Sequence, residues 1–87
     1  MKDTLKIRKQ FNKLAGPNRA AALQYWNDKR KDGTRRKIFK LYGPSFEWNE
    51  MYDIWVQVQK SFPDWELYRS RSVMGATVTG LYKREAI

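Results

Sequence analysis

Neither cysteine nor histidine occurs among the 87 residues of this chain. Without cysteine there is no disulfide and no thiolate metal site, and nothing points to an oxidising compartment. Without histidine, the commonest metal ligand and the usual general base near neutral pH are missing too. The expectation is therefore no metal and no cofactor. No stretch approaches the roughly 18 apolar residues that a membrane-spanning helix needs. The opening MKDTLKIRKQF carries charges but no apolar signal region. A cytoplasmic protein without signal peptide or membrane span is expected. No Gly-rich phosphate loop and no nucleophile motif is present.

What the chain does have is aromatic residues, four Trp, five Tyr and four Phe. A domain of this length buries only roughly 60–65% of the surface that its unfolded form exposes, so its core must be efficient. Each aromatic side chain can bury about 150–250 Å², so a few of them can hold a small fold together. With 41% hydrophobic residues the composition is that of a folded chain, and residues 1–87 are expected to form one domain.

The other excess is positive charge, +9 overall. It is unevenly placed. Residues 1–43 hold thirteen Lys or Arg against three Asp, a balance of +10, while residues 44–87 hold five against six acidic residues, a balance of −1. A basic first half beside a near-neutral second half looks like a surface for a polyanion rather than a general solubility device.

Periodicity suggests the elements. Ile7, Phe11 and Leu14 lie at helical spacing, and Gly16 is placed to end that helix. Pro17 and Asn18 then open a second helix, expected to run through NRAAALQYWNDKRK with Leu23 and Trp26 inward and Gly33 as its stop. RRKIFKLY reads as a strand. Ser45 is a suitable N-cap for a third helix with the apolar stripe Trp48, Met51, Tyr52, Trp55, Val58 and Phe62, and Glu47, Glu50 and Asp53 suit its N-terminal dipole. Pro63 ends it, and WELYRS and ATVTGLYKR read as two antiparallel strands. The expected fold is a small α+β domain of order ααβαββ, with helices packed on a three-stranded sheet. ATVTGLY is a candidate exposed edge, open to pairing with a second copy. Its Thr and Gly are equally compatible with a monomer, so the oligomeric state stays open.

The densest charge lies in KRKDGTRRK, where Lys29, Arg30, Lys31, Arg35, Arg36 and Lys37 surround one Asp-Gly pair. A helix C-terminus accounts for the first three through the macrodipole, but not for the three beyond the turn. Six such charges repel one another when free and are neutralised along a phosphate backbone, where counterion release drives binding. Lys6, Lys9 and Lys13, with Lys2, form a stripe on the first helix that would extend the contact. Such a helix could also lie on an anionic membrane, but its narrow apolar face is better used in the core.

Aromatic and basic residues also alternate in RRKIFKLY, LYRSR and LYKRE, a pattern that suits single-stranded nucleic acid. Strands place aromatics in any core, however, so burial is the expectation for Phe39, Tyr42, Tyr68 and Tyr82. KIRKQFNKLAGPNRAAALQYW fits a helix-turn-helix poorly, because Asn12 falls where a small apolar residue belongs. Asp64 and Glu66 suggest a nuclease's magnesium ligands, but Tyr68 occupies the position of the lysine such a site would carry.

The expectation is thus a small non-enzymatic protein that binds nucleic acid through a basic helix–turn–strand surface, DNA being favoured over RNA on general grounds only. Small size, absent His and Cys and dense aromatics also fit the style of a phage accessory protein. The alternative is a protein-binding regulator or inhibitor that docks its basic face on an acidic surface of a larger complex. Its Trp-rich helix would complete that contact, with Trp48 as the exposed anchor.

Overall fold

Gly16 separates the first two helices. It takes φ 89° and ψ 167°, and its N–H closes α1 (Asp3–Ala15) by donating to the Asn12 carbonyl at 3.1 Å. Pro17, which has no N–H to leave unpaired, then opens α2 (Pro17–Ala22). The computed structural model describes residues 2–44, 48–71 and 76–86. The expected N-cap at Ser45 and the acidic Glu47 lie outside the described residues, as does the side chain of Trp48.

α2 is far shorter than its sequence suggests. Leu23 is already extended, at φ −66° and ψ 128°, and the chain enters β1 (Gln24–Lys29). β1 forms an antiparallel hairpin with β2 (Thr34–Pro44), pairing Tyr25 with Phe39 and Trp26 with Ile38. The Asp-Gly pair is therefore a hairpin turn and not a helix stop. Arg30 N–H donates to the Thr34 carbonyl at 2.7 Å, and Gly33 supplies the positive φ of 86° that a tight loop needs. The change of element also reverses Trp26. Residues three apart share a helix face but point to opposite sides of a strand, so Leu23 is buried while Trp26 remains 49% exposed.

After α3 (Trp48–Ser61) come β3 (Glu66–Arg71) and β4 (Ala76–Ala86). The result is a small α+β domain whose sheet has four strands rather than three, in the order β1-β2-β4-β3 with every neighbour antiparallel. β4 carries ATVTGLY, and it sits in the middle of the sheet and not at an edge. Its N–H and C=O groups are committed to β2 and β3.

The helices pack on one side of the sheet only. Ile7 and Phe11 of α1, Met51, Ile54, Trp55 and Val58 of α3, and Leu23, Phe39, Leu41, Trp65 and Leu81 make one buried cluster. Phe11 stacks on Trp55 at 4.3 Å, and Phe39 has Tyr25, Trp65 and Trp55 around it at 4.8, 5.8 and 6.3 Å. Leu14, expected inside, is 42% exposed at the end of α1. The bidentate pair of Arg19 with Glu50, at 3.0 and 3.1 Å, ties α2 to α3.

Two substitutions test this packing. A methyl on Gly80 would be driven into the Phe39 backbone carbonyl, whereas one on Gly43 meets only the end of the Met51 side chain. Gly80→Ala should therefore abolish cooperative folding or lower Tm steeply, while Gly43→Ala lowers it slightly. Thr79 is fully buried with no hydrogen-bond partner for its hydroxyl among the described residues. Relieving that penalty, Thr79→Val should stabilise the protein by about 1 kcal/mol in denaturant titrations.

Candidate nucleic-acid interface

Strand alternation divides the six cations of the hairpin. Lys29 and Arg35 are cross-strand partners on the helix side, and both are exposed. Arg30 and Lys31 belong to the connecting loop. Arg36 points to the other side and pairs with Asp28, its cross-strand partner, at 3.8 Å. Lys37 returns to the helix side and pairs at 3.2 Å with Glu85, which Lys83 also approaches at 3.7 Å. The stretch is thus a basic tip with two faces. Lys29, Arg30, Lys31 and Arg35 form no ion pair among the described residues.

The single acid within the stretch has a structural task. Asp32 accepts hydrogen bonds from the Thr34 hydroxyl at 2.6 Å and the Thr34 N–H at 3.0 Å, which hold its pKa below the usual carboxylate value. Arg30 and Arg84 lower it further through their charge. Asp32 stays ionised and offsets one charge at the tip, where Lys29, Arg30, Lys31 and Arg35 still outnumber it.

The lysines of α1 run along the helical layer. Lys6, Lys9 and Lys13 are exposed there. Near the start of the helix, Lys2 lines a cavity of about 290 Å³ with Lys37, Lys83 and Trp65. At the other end, Lys13 shares a different cavity with Gln57 and Lys60 of α3. The stripe therefore begins near the hairpin's lysines and leads away from them.

The aromatic–basic alternation of the strands was legible in the sequence, but not that Trp26 joins it, nor that Tyr42 is exposed, on the side of the sheet without helices. Across it run Trp26, Ile38, Tyr82 and Glu66 in one cross-strand row, and Gln24, Lys40, Gly80 and Tyr68 in the next. Asp28, Arg36 and Arg84 form a row towards the hairpin tip, and Tyr42, Val78 and Ser70 one towards the opposite end. Ile38 and Val78 are buried although no described helix covers them, while Trp26 is 49% and Tyr42 44% exposed. Burial was expected for Tyr42, and the structure reverses it. Phe39 is buried as expected, and Tyr68 and Tyr82 are half-buried.

Side-chain contacts hold these rings in place. The Trp26 indole N–H donates to Gln24 Oε1 at 3.2 Å. Tyr68 and Tyr82 meet edge to face at 6.2 Å. The Lys40 ammonium reaches across Gly80 to lie 6.0 Å from the Tyr68 ring, and the Arg84 guanidinium lies 6.0 Å from that of Tyr82. Glu66 accepts a hydrogen bond from the Tyr82 hydroxyl, and this bond is the main reason the phenol's pKa stands above the usual 10.0. The Asp-Gly turn was the available signal, because once β1 and β2 are paired through it, parity alone puts Trp26, Ile38, Lys40 and Tyr42 on one face.

Among the described residues no group of three or more acidic side chains is arranged to hold a metal, and no helix is long and apolar enough to cross a membrane. Comparison with family models, with curated proteins and with solved structures finds no match to this chain.

The Tyr82–Glu66 bond is open to direct test. A folded-state phenol pKa raised above 10.0 means that the fold favours the neutral form. Its contribution to stability is complete below pH 10 and is lost as pH rises through the folded value. Burial raises the pKa of the Tyr25 phenol as well. Ultraviolet titration should therefore show two late-ionising tyrosines, of which one is lost in Tyr82→Phe and shifts back towards 10 in Glu66→Gln while the other remains.

Proposed function

We propose that the chain is a small, non-enzymatic, cytoplasmic nucleic-acid-binding protein that holds phosphates at the tip of the β1–β2 hairpin. The observation that carries this proposal is the group Lys29, Arg30, Lys31 and Arg35, four cations gathered around a turn that holds one acid, Asp32. Such a tip repels itself in the free protein. Phosphates relieve that repulsion, and the counterions they release favour the complex. Phosphate contacts position a protein without reading sequence, and they serve DNA and RNA alike. The protein-regulator alternative rests on Trp48, whose side chain lies outside the described residues.

Fluorescence anisotropy with random-sequence duplex DNA and RNA provides the test. Neutralising four or five phosphates should give a slope of log K against log salt of about −4 on B-DNA. Arg36 and Lys37 are left unaltered in the variants because they hold ion pairs. The triple change Lys29→Glu, Lys31→Glu and Arg35→Glu should abolish binding with Tm nearly unchanged. Lys9→Glu, Lys13→Glu and Lys60→Glu together alter net charge equally on the helical layer and should weaken binding far less. Failure to bind at low salt, or a flat salt dependence, overturns the proposal and leaves an acidic protein surface as the partner. Equal losses from both triples overturn the assignment to the hairpin. Incubation with magnesium or manganese should leave plasmid and single strands intact. Cleavage that disappears in Asp64→Ala or Glu66→Ala would overturn the non-enzymatic part.

A further inference from the structure

The side of the sheet opposite the helices is not an ordinary solvated face. When one face of an antiparallel sheet is packed, the other normally alternates to polar residues. Here the outward positions include Trp26, Ile38, Tyr42, Tyr68, Val78 and Tyr82. The most exposed of the rings are Trp26, the cross-strand neighbour of Ile38, and Tyr42, that of Val78, with Lys40 between the two pairs on β2. Exposed aromatic rings on a face that no described helix covers mark a place for a partner.

The charges on the face narrow down what that is. Its cations are Arg36, Lys40 and Arg84, interleaved with the rings. Its acids are Asp28, paired with Arg36, and Glu66, which takes the Tyr82 hydroxyl proton in a hydrogen bond. A second copy of the sheet laid face to face would bring like cations together. Duplex nucleic acid keeps its bases stacked inside, out of reach of a flat aromatic surface. Unpaired bases present π-faces to the rings while their phosphates meet the cations. The Arg36–Arg84 row also borders the hairpin tip, so a strand whose phosphates are held at the tip can continue directly onto the rings.

We propose that this face is a stacking platform for unpaired bases, which makes single-stranded nucleic acid the substrate class. The proposal rests on the nucleic-acid function above and adds the site that distinguishes single strands from duplexes. Trp26, oriented by Gln24, and Tyr42 are the principal stacking residues. Tyr68 and Tyr82 complete the surface, with Lys40 and Arg84 beside their rings. A platform of this size accommodates about two or three bases.

The test compares oligo-dT with a duplex of equal length at one salt concentration, using the intact chain and its variants. The single strand should bind more tightly and should quench Trp fluorescence. Trp26→Ala and Tyr42→Ala should each weaken single-strand binding roughly 5- to 150-fold, leave duplex binding unchanged, and lower Tm modestly, since about half of each side chain is exposed. Trp26→Phe keeps a ring and should restore most of the affinity. Equal affinities for both nucleic acids, unaffected by Trp26→Ala and Tyr42→Ala, would overturn the platform while leaving the phosphate contact at the hairpin intact. Absence of binding to either nucleic acid would remove both proposals together. Dissociation of a dimer by Trp26→Ala in sedimentation, with no effect on oligo-dT, would assign the face to a second copy and also overturn the platform.

Discussion

Much of this molecule follows from where Phe39 points. Its ring sits in the helix-side core with Tyr25, Trp55 and Trp65 around it and the Arg8 guanidinium 5.8 Å from its centre. Through Trp55 it is coupled to Phe11, and so to α1. A strand residue committed to one face commits its neighbours to the other, and a slip of one residue would turn every side chain of β2 over. With Phe39 inward, Leu41 is inward as well, and Ile38, Lys40 and Tyr42 must be outward. The backbone adds a second restraint at the same place, where β4 reaches the Phe39 carbonyl so closely that only Gly80 fits.

That parity also sorts the charges. Lys37 falls on the helix side, where Glu85 is within reach, and Arg36 on the other, where Asp28 is its cross-strand partner. Within the body of the sheet these two cations of the dense stretch therefore have acidic partners. At the last pair before the loop, Arg35 has Glu85 as its β4 neighbour but forms no ion pair with it, and Lys29, Arg30 and Lys31 form none among the described residues. Partly exposed pairs of this kind contribute about 0–1 kcal/mol each, too little to organise a fold. They do keep the basic stretch compatible with a packed sheet, and they concentrate its uncompensated charge at the tip.

The legible and illegible parts of the sequence divide along physical lines. RRKIFKLY, the third helix, WELYRS and ATVTGLYKR were readable because period and punctuation agree, with Pro63 and the Gly residues at the boundaries. β1 was not. Ala20, Ala21 and Ala22 have high helix propensity, and the three-residue spacing of Leu23 and Trp26 suits a helix as well as it suits a bend into a strand. Pairing with β2 decides the matter, and pairing is a tertiary fact that a local window does not contain. The cost of that one misreading was large, since it removed a strand, moved β4 to an apparent edge and placed Trp26 in the core. The cations themselves were legible as a cluster. Their division between two faces was not, because it depends on the hairpin.

Core and surface use the same residue types here, and the difference between them comes from the sheet's two sides. Aromatic rings on the helix side are enclosed by α1 and α3 and hold the small core together. Rings on the opposite side stand beside lysine and arginine, in a shallow layer over Ile38 and Val78. A core cluster tolerates little change in volume, whereas an exposed ring can be removed with only modest consequence for folding. The cluster that holds the helices to the sheet lies on one side of it, so under the base-stacking proposal a change at Trp26 or Tyr42 acts more on binding than on folding, whereas a change at Phe39 disrupts the core.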